Sequence, residues 1–149
     1  MGQAYMPQAK SVEWETPQDL FDELDSKYHF TLDVCASIEN TKCKQFYSKS
    51  DNGLRRPWAG EVCWMNPPYG REIKQWVERA CYQSRHCGAT VVCLLPARTD
   101  TAWWHDYVLP YGEIHFIRGR LRFQGAKSSA TFPSVIVVFK AKNGGANDD

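Results

Sequence analysis

The residues whose types and spacing could do chemistry in this 149-residue chain are Asn66-Pro67-Pro68-Tyr69, at the end of the apolar run Val62-Cys63-Trp64-Met65. Two prolines remove two backbone donors and stiffen the turn, so the Asn66 side-chain oxygen and the Pro67 carbonyl can act as fixed acceptors. An amino group with two N–H donors satisfies both. The N6 of adenine is such a group: its lone pair is delocalised into the ring, and two acceptors gripping its hydrogens favour a more tetrahedral nitrogen as it attacks. With the activated methyl of a sulfonium such as S-adenosylmethionine as electrophile, this chemistry needs no metal and no strongly shifted base, and the sequence shows no triad. Tyr69 would offer a π-face to an extracted base. Stacking of that kind is worth roughly 1–3 kcal/mol, the scale needed to offset base flipping. Pro68 completes the rigid turn. The alternative is that the tetrapeptide only ends a strand.

The elements that must hold this turn follow from periodicity. Leu20, Phe21, Leu24 and Tyr28 share one helix face, with Pro17 suited to the first turn. Residues 30–37 read as a short strand, followed by an irregular connection whose clearest turn signal is Asp51-Asn52-Gly53. Residues 62–69 form a buried-type strand, 71–86 a helix that Gly88 stops, and 89–97 another buried strand. A short helix over 100–109 and strands over 112–117 and 133–140 complete the pattern. This alternation predicts an α/β domain on a mainly parallel sheet, with ligands at the carboxyl ends of the strands. The expected organisation is a flexible N-terminus (1–12), a single domain (13–141) and a disordered tail (142–149).

Composition narrows the class. No run approaches the length of a membrane span, and the N-terminus lacks the order of a signal peptide; the expectation is a soluble, cytoplasmic protein. Six cysteines without a C-x-x-C pair indicate neither zinc nor a disulfide framework, and read as small buried hydrophobes. The net charge of +1 conceals a basic C-terminal part, where Arg118, Arg120, Arg122, Lys127, Lys140 and Lys142 outnumber Glu113, Asp148 and Asp149. That end suits phosphates, although a solvated charged surface explains it equally.

Taken together, Trp14-Glu15-Thr16-Pro17, Asp33-Val34-Cys35-Ala36-Ser37, Asp51-Asn52-Gly53-Leu54 with Trp58, Asn66-Pro67-Pro68-Tyr69, residues 94–101 with Trp103-Trp104, Arg118-Gly119-Arg120-Leu121 and Phe132-Pro133-Ser134 make the sequence resemble the phage-type DNA N-6-adenine-methyltransferases. These form a small branch of the class I S-adenosylmethionine-dependent methyltransferases. The resemblance implies a Rossmann-like class I sheet with helices on both faces. It is abbreviated, because about 30 residues between Asp33 and Asn66 leave no room for two further strand-helix units. It further implies that Thr16-Pro17 contacts the methionine end of the cofactor and that Asp33, Cys35 and Ala36 stand at its glycine-rich loop. That loop departs from the usual pattern in lacking glycines. Asp51 is the candidate to accept hydrogen bonds from the adenosine. The alternatives are a strand-end carboxylate capping local N–H groups for Asp33 and an Asx-turn for Asp51.

Double-stranded DNA is the implied partner of a monomeric enzyme, held by Arg98, Arg118, Arg120, Arg122 and Lys127, with Trp103, Trp104 and Phe123 interleaved. Phe132 would close over the base opposite Tyr69; core packing is the alternative for it and for the tryptophans. Two rival functions remain at this level. One is methylation of a protein glutamine amide, which needs the same two acceptors. The other is a DNA- or cofactor-binding remnant without catalysis.

Overall fold

A computed structural model describes residues 15–123, 125 and 129–142. The expectations for residues 1–12, Trp14, Lys127 and most of the 142–149 tail therefore lie outside the described residues. Five strands form one sheet: β1 (Leu32–Asp33), β2 (Val62–Met65), β3 (Thr90–Pro96), β4 (Glu113–Phe116) and β5 (Ser134–Phe139), in the order β1-β2-β3-β5-β4. The β1-β2 and β2-β3 pairings are parallel, with Asp33 opposite Trp64 and Met65 opposite Cys93. Strand β5 then runs antiparallel to both β3 and β4. The sheet is therefore mixed. The expected mainly parallel arrangement holds from β1 to β3, and β4 shares their direction. The chain returns from β4 as an antiparallel neighbour and fills the gap beside β3, a placement that strand-helix alternation does not specify.

Strand side chains alternate between two cores, as the two-residue period requires. Val91, Cys93 and Leu95 join Val135, Val137 and Phe139 on one face, where helix α2 (Ile73–His86) packs through Trp76, Val77 and Ala80. Trp104 and Val108 pack there too, from a π-helical turn, Trp104–Val108, that runs into α3 (Leu109–Tyr111). Val92, Leu94, Ile136 and Val138 face the other side, together with Trp64 and Phe21. Phe21 belongs to helix α1 (Gln18–Tyr28) and meets the Trp64 ring edge-on at 5.5 Å. Full burial of a side chain such as Phe21 contributes roughly 1.5–3 kcal/mol. Helices thus cover both faces of the sheet.

Local chemistry sets the ends of these helices. Pro17 occupies the N-cap of α1, one position earlier than expected, and its carbonyl accepts from Phe21 N–H at 3.1 Å. His29 takes the left-handed conformation at the other end (φ 59°), and the Asp25 carboxylate then accepts from Phe30 N–H at 2.9 Å, turning the chain into β1. Gly88, at φ +74°, follows α2 where the sequence places a stop. Strand β1 is shorter than the 30–37 run because the chain turns to pair with the long connection. Asp33 N–H donates to Gln45, Tyr47 N–H to Asp33 and Ala36 N–H to Tyr47.

Three cysteines, Cys63, Cys81 and Cys93, are buried, whereas Cys35, Cys43 and Cys87 are only half-buried. The reading of all six as core hydrophobes holds for the first group. Burial raises the Cys43 thiol to about 12 and also pushes the Cys63 and Cys93 thiols well above the ordinary thiol value, so these stay protonated. No helix among the described residues is long and apolar enough to cross a membrane.

Candidate active site

A cleft of about 380 Å³ opens at the carboxyl ends of β1 and β2, within the usual size range of small-molecule sites. Thr16, Asp33, Cys35, Ala36, Asn66, Pro67 and Pro68 all line it. The segments singled out in the sequence thus converge from three separate parts of the chain. A larger depression of about 780 Å³ lies on the outer face of α2, among Arg79, Tyr82 and Tyr107, and takes only Leu54 from the segments singled out in the sequence. Chemistry rather than size favours the smaller cleft.

Asn66 directly follows the last residue of β2, so the strand fixes its backbone. Its Nδ2 donates to Thr16 Oγ1 at 3.0 Å, across 50 positions of sequence. The Thr16 side chain is buried and follows from the position of Pro17 at the start of α1. This bond orients the Asn66 amide and ties α1 to the proline turn. Pro17 does not line the cleft. Its contribution is to launch α1 immediately after Thr16.

Asp33 is buried, and its carboxylate accepts from two backbone donors, Cys35 N–H at 3.3 Å and Lys42 N–H at 3.0 Å. Burial raises its pKa to about 6, against the opposing pull of those two bonds and of the Lys42 charge. The capping alternative for Asp33 is realised, and the residue faces the cleft as well. Its carboxylate folds the 34–42 segment into the cleft wall.

Asp51 departs from its expected role. Its carboxylate accepts from Ser48 N–H and Ser48 Oγ, both at 2.9 Å, which holds it below its ordinary pKa, and its own N–H donates back to Ser48 Oγ, a reciprocal capping arrangement rather than the Asx-turn of the alternative. It does not line the cleft; its neighbours Ser48, Lys49, Asn52 and Gly53 do. Gly53 is the strictest of these. A Cβ there would lie 2.2 Å from the Val34 carbonyl oxygen and 3.1 Å from the Trp76 ring, so only glycine lets the turn close against β1. Trp58 reinforces the closure by donating its indole N–H to the Gly53 carbonyl at 2.9 Å.

Tyr69 also departs from expectation. Its ring is 5% exposed, packs edge-on against Phe132 at 5.6 Å and Phe123 at 6.5 Å, and its hydroxyl donates to the Leu94 carbonyl. No open stacking face is presented, because the connection between β4 and β5 folds back over the ring. Phe132 is half-buried in this cluster, and Trp103 and Trp104 are buried, so the packing alternative holds for these three; Phe123 is buried as well. Arg98 follows β3, and Arg118, Arg120 and Arg122 follow β4; all four are exposed, beyond the carboxyl ends of their strands.

Sequence reasoning missed Lys42, Lys49, Asn52, Trp64 and Trp76 as cleft residues. Trp76 carried the helix periodicity of a core residue, and it is one: it stacks near Trp58 at 6.4 Å while also facing the cleft. The glycine of Asp51-Asn52-Gly53 was the one available signal for the far wall.

Comparison with known proteins agrees with this geometry. The family model described as DNA N-6-adenine-methyltransferase (Dam) matches residues 3–144. A DNA N-6-adenine-methyltransferase of Haemophilus phage HP1 (strain HP1c1) is 34% identical over 137 residues, covering 87% of this chain and 79% of the relative. Another protein of that name, from Escherichia phage T1, is 36% identical over 117 residues, covering 77% of this chain and 48% of the relative. With a match that runs through nearly every element of the sheet and through both walls of the cleft, this chain belongs to the DNA N-6-adenine-methyltransferase (Dam) family.

Proposed function

We propose that the chain transfers a methyl group from S-adenosylmethionine to N6 of an adenine flipped out of double-stranded DNA, on an abbreviated Rossmann-like class I sheet. The observation that carries this reading is the Asn66–Thr16 bond of 3.0 Å in a cleft of about 380 Å³ that also contains Pro67 and Pro68. Family membership and the two named relatives support adenine in DNA as the substrate.

The residues of the cleft fit the cofactor. Gly53 lets the wall close where any side chain would collide with the Val34 carbonyl and the Trp76 ring, and Asp33 and Lys42 both line the cleft. When bound, the cofactor supplies a methyl carbon already activated by a sulfonium. The protein's part is positioning. Asn66 Nδ2 is held by Thr16, Asn66 Oδ1 would accept from the target amine, and the Pro67 carbonyl would supply the second acceptor on a rigid turn. Both acceptors strengthen their hold as the nitrogen develops positive charge, which lowers the barrier selectively. Arg98, Arg118, Arg120 and Arg122 would engage phosphates or guanine edges. Because Tyr69 lies beneath Phe123 and Phe132, base stacking on its ring requires those rings to move when DNA binds.

The test is incubation of the purified chain with S-adenosylmethionine and unmethylated genomic DNA, followed by nuclease digestion and mass detection of N6-methyladenine. The expected product is N6-methyladenine, formed on DNA and not on added protein. Asn66→Ala is expected to lower the rate on the order of 10²–10³-fold, as loss of one preorganised group at a charge-developing site does, with cofactor affinity unchanged. Equal loss of affinity and rate would remove Asn66 from the reaction.

A further inference from the structure

The depression of about 780 Å³ on the outer face of α2 is a groove with its own chemistry. It begins at Leu54 and Arg55, beside the Gly53 turn, and follows α2 from Gln75 to His86, about 16 Å of helix. Tyr107 and Tyr111 form its other side. Tyr111 precedes β4, whereas Arg118, Arg120 and Arg122 follow it, so the far end of the groove lies at the opposite end of the sheet from those arginines. The groove also shares no lining residue with the cofactor cleft.

Its lining carries positive charge that the protein does not neutralise. Arg55, Arg79 and Arg85 stand against one acid, Glu78, and among the described residues none of the three forms an ion pair with a carboxylate. Two of them lie over rings instead: the Arg85 guanidinium is 4.0 Å from the Tyr111 centroid and that of Arg79 is 5.8 Å from Trp58. A ring holds a guanidinium in place without cancelling its charge. Tyr82 and Tyr111 remain 52% and 45% exposed, and large exposed aromatics on a concave surface mark a contact site. A second copy of the chain would bring the same positive charge, so the fitting occupant is an anion. Phosphates repeated along a strand match guanidiniums repeated along a helix, and bases match exposed rings. A duplex keeps its base faces stacked inside, so only an unpaired strand can use the tyrosines, and an acidic peptide would satisfy the arginines alone. We propose that this groove binds single-stranded nucleic acid, with phosphates on Arg55, Arg79 and Arg85 and bases against Tyr82 and Tyr111, apart from the surface proposed for the substrate duplex.

The test is fluorescence anisotropy of the full chain with a labelled oligothymidylate of about 12 nucleotides, within the usual size of such sites. The wild type is expected to bind it, and Tyr82→Ala and Arg85→Met each to weaken binding about tenfold, the scale of one lost stacking contact. Tyr82→Phe keeps the ring and is expected to bind like the wild type, and Arg118→Met is expected to leave the affinity for this probe unchanged. Tyr82 is half-exposed, so an unchanged melting temperature of Tyr82→Ala verifies the fold. Neither groove variant is expected to alter N6-methyladenine formation on duplex DNA. The binding measurements use no cofactor, so their outcome stands whether or not methyl transfer is found. No binding by the wild type, or unchanged binding by either groove variant, overturns the proposal. So does a larger loss from Arg118→Met, which would put the strand on the duplex surface, or displacement of the strand by oligoglutamate at equal charge, which would make the groove a site for acidic peptides.

Discussion

The two sides of the cleft are made differently. The wall from Asp33 to Gly53 is irregular chain held by polar bonds: Asp33 to Cys35 and Lys42, Ser37 to Asn40, Ser48 to Asp51, and Trp58 to Gly53. Behind the proline turn, Tyr69, Phe123 and Phe132 meet mainly through rings, with centroids 5.6–6.5 Å apart. Directional bonds specify one geometry, which suits a site that takes the same small molecule in every cycle. Ring contacts can be exchanged for other rings of similar area at little cost, which suits a surface that must receive a base. The wall is fixed by directional bonds, whereas the aromatic cluster occupies the position where the proposed function requires a base.

That contrast is most easily broken at Tyr69. Tyr69→Ala removes a buried ring and is expected to cost about 3 kcal/mol or more of stability, read as a lower urea midpoint. Tyr69→Phe loses only the hydroxyl bond to Leu94, about 1 kcal/mol. Should Tyr69→Ala leave stability unchanged while abolishing DNA binding, the ring is open in solution and the cluster is not a packed region. Gly53 probes the opposite wall with a smaller expected effect. Gly53→Ala places a methyl against the Val34 carbonyl oxygen, at 2.2 Å in the unrelaxed geometry, and overpacking of this kind costs typically 1–3 kcal/mol. Displacement of the wall should also weaken S-adenosylhomocysteine in a calorimetric titration. Unchanged affinity would mean that this wall is as yielding as the aromatic side.

The sequence made some of this legible and concealed the rest for physical reasons. Helices α1 and α2 and strands β2, β3 and β5 follow from their periodicity, because one buried face or a continuous apolar run leaves few alternatives. The proline turn was legible because Pro67 and Pro68 end β2 regardless of context. Strand order was not, since β5 reaches its place between β3 and β4 through non-local pairing. The wall was equally hidden: Asp33 meets Gln45 and Tyr47 through backbone bonds, which carry no side-chain signature. Asp51 illustrates the resulting error. A carboxylate near a cleft looks like a ligand group, but Ser48, three residues away, offers two donors without the long-range folding that a cofactor contact requires. The burial of Tyr69 was concealed because Phe123 and Phe132 come to it from the β4-β5 connection.

Asp33 gives the subtlest test of the comparison, because it sits in the polar wall yet pays a penalty for burial. Its pKa of about 6 in the fold, against an ordinary 3.8, means that the folded state favours the protonated acid. Its stabilising contribution is therefore complete below about pH 4 and is lost as pH rises through 6. Asp33→Asn resembles the protonated form and does not titrate, so relative to the wild type the variant should gain stability between pH 4 and 6 and then hold that gain at higher pH. Urea unfolding across that range measures it, and a difference independent of pH would show that the carboxylate is solvated and the wall loosely held. A carboxylate kept at a position that weakens the fold at neutral pH needs another reason to be there. Its place in the cleft supplies one: the ionised acid can take part in holding the proposed cofactor, so the same substitution that relieves the fold at neutral pH should weaken binding of S-adenosylhomocysteine.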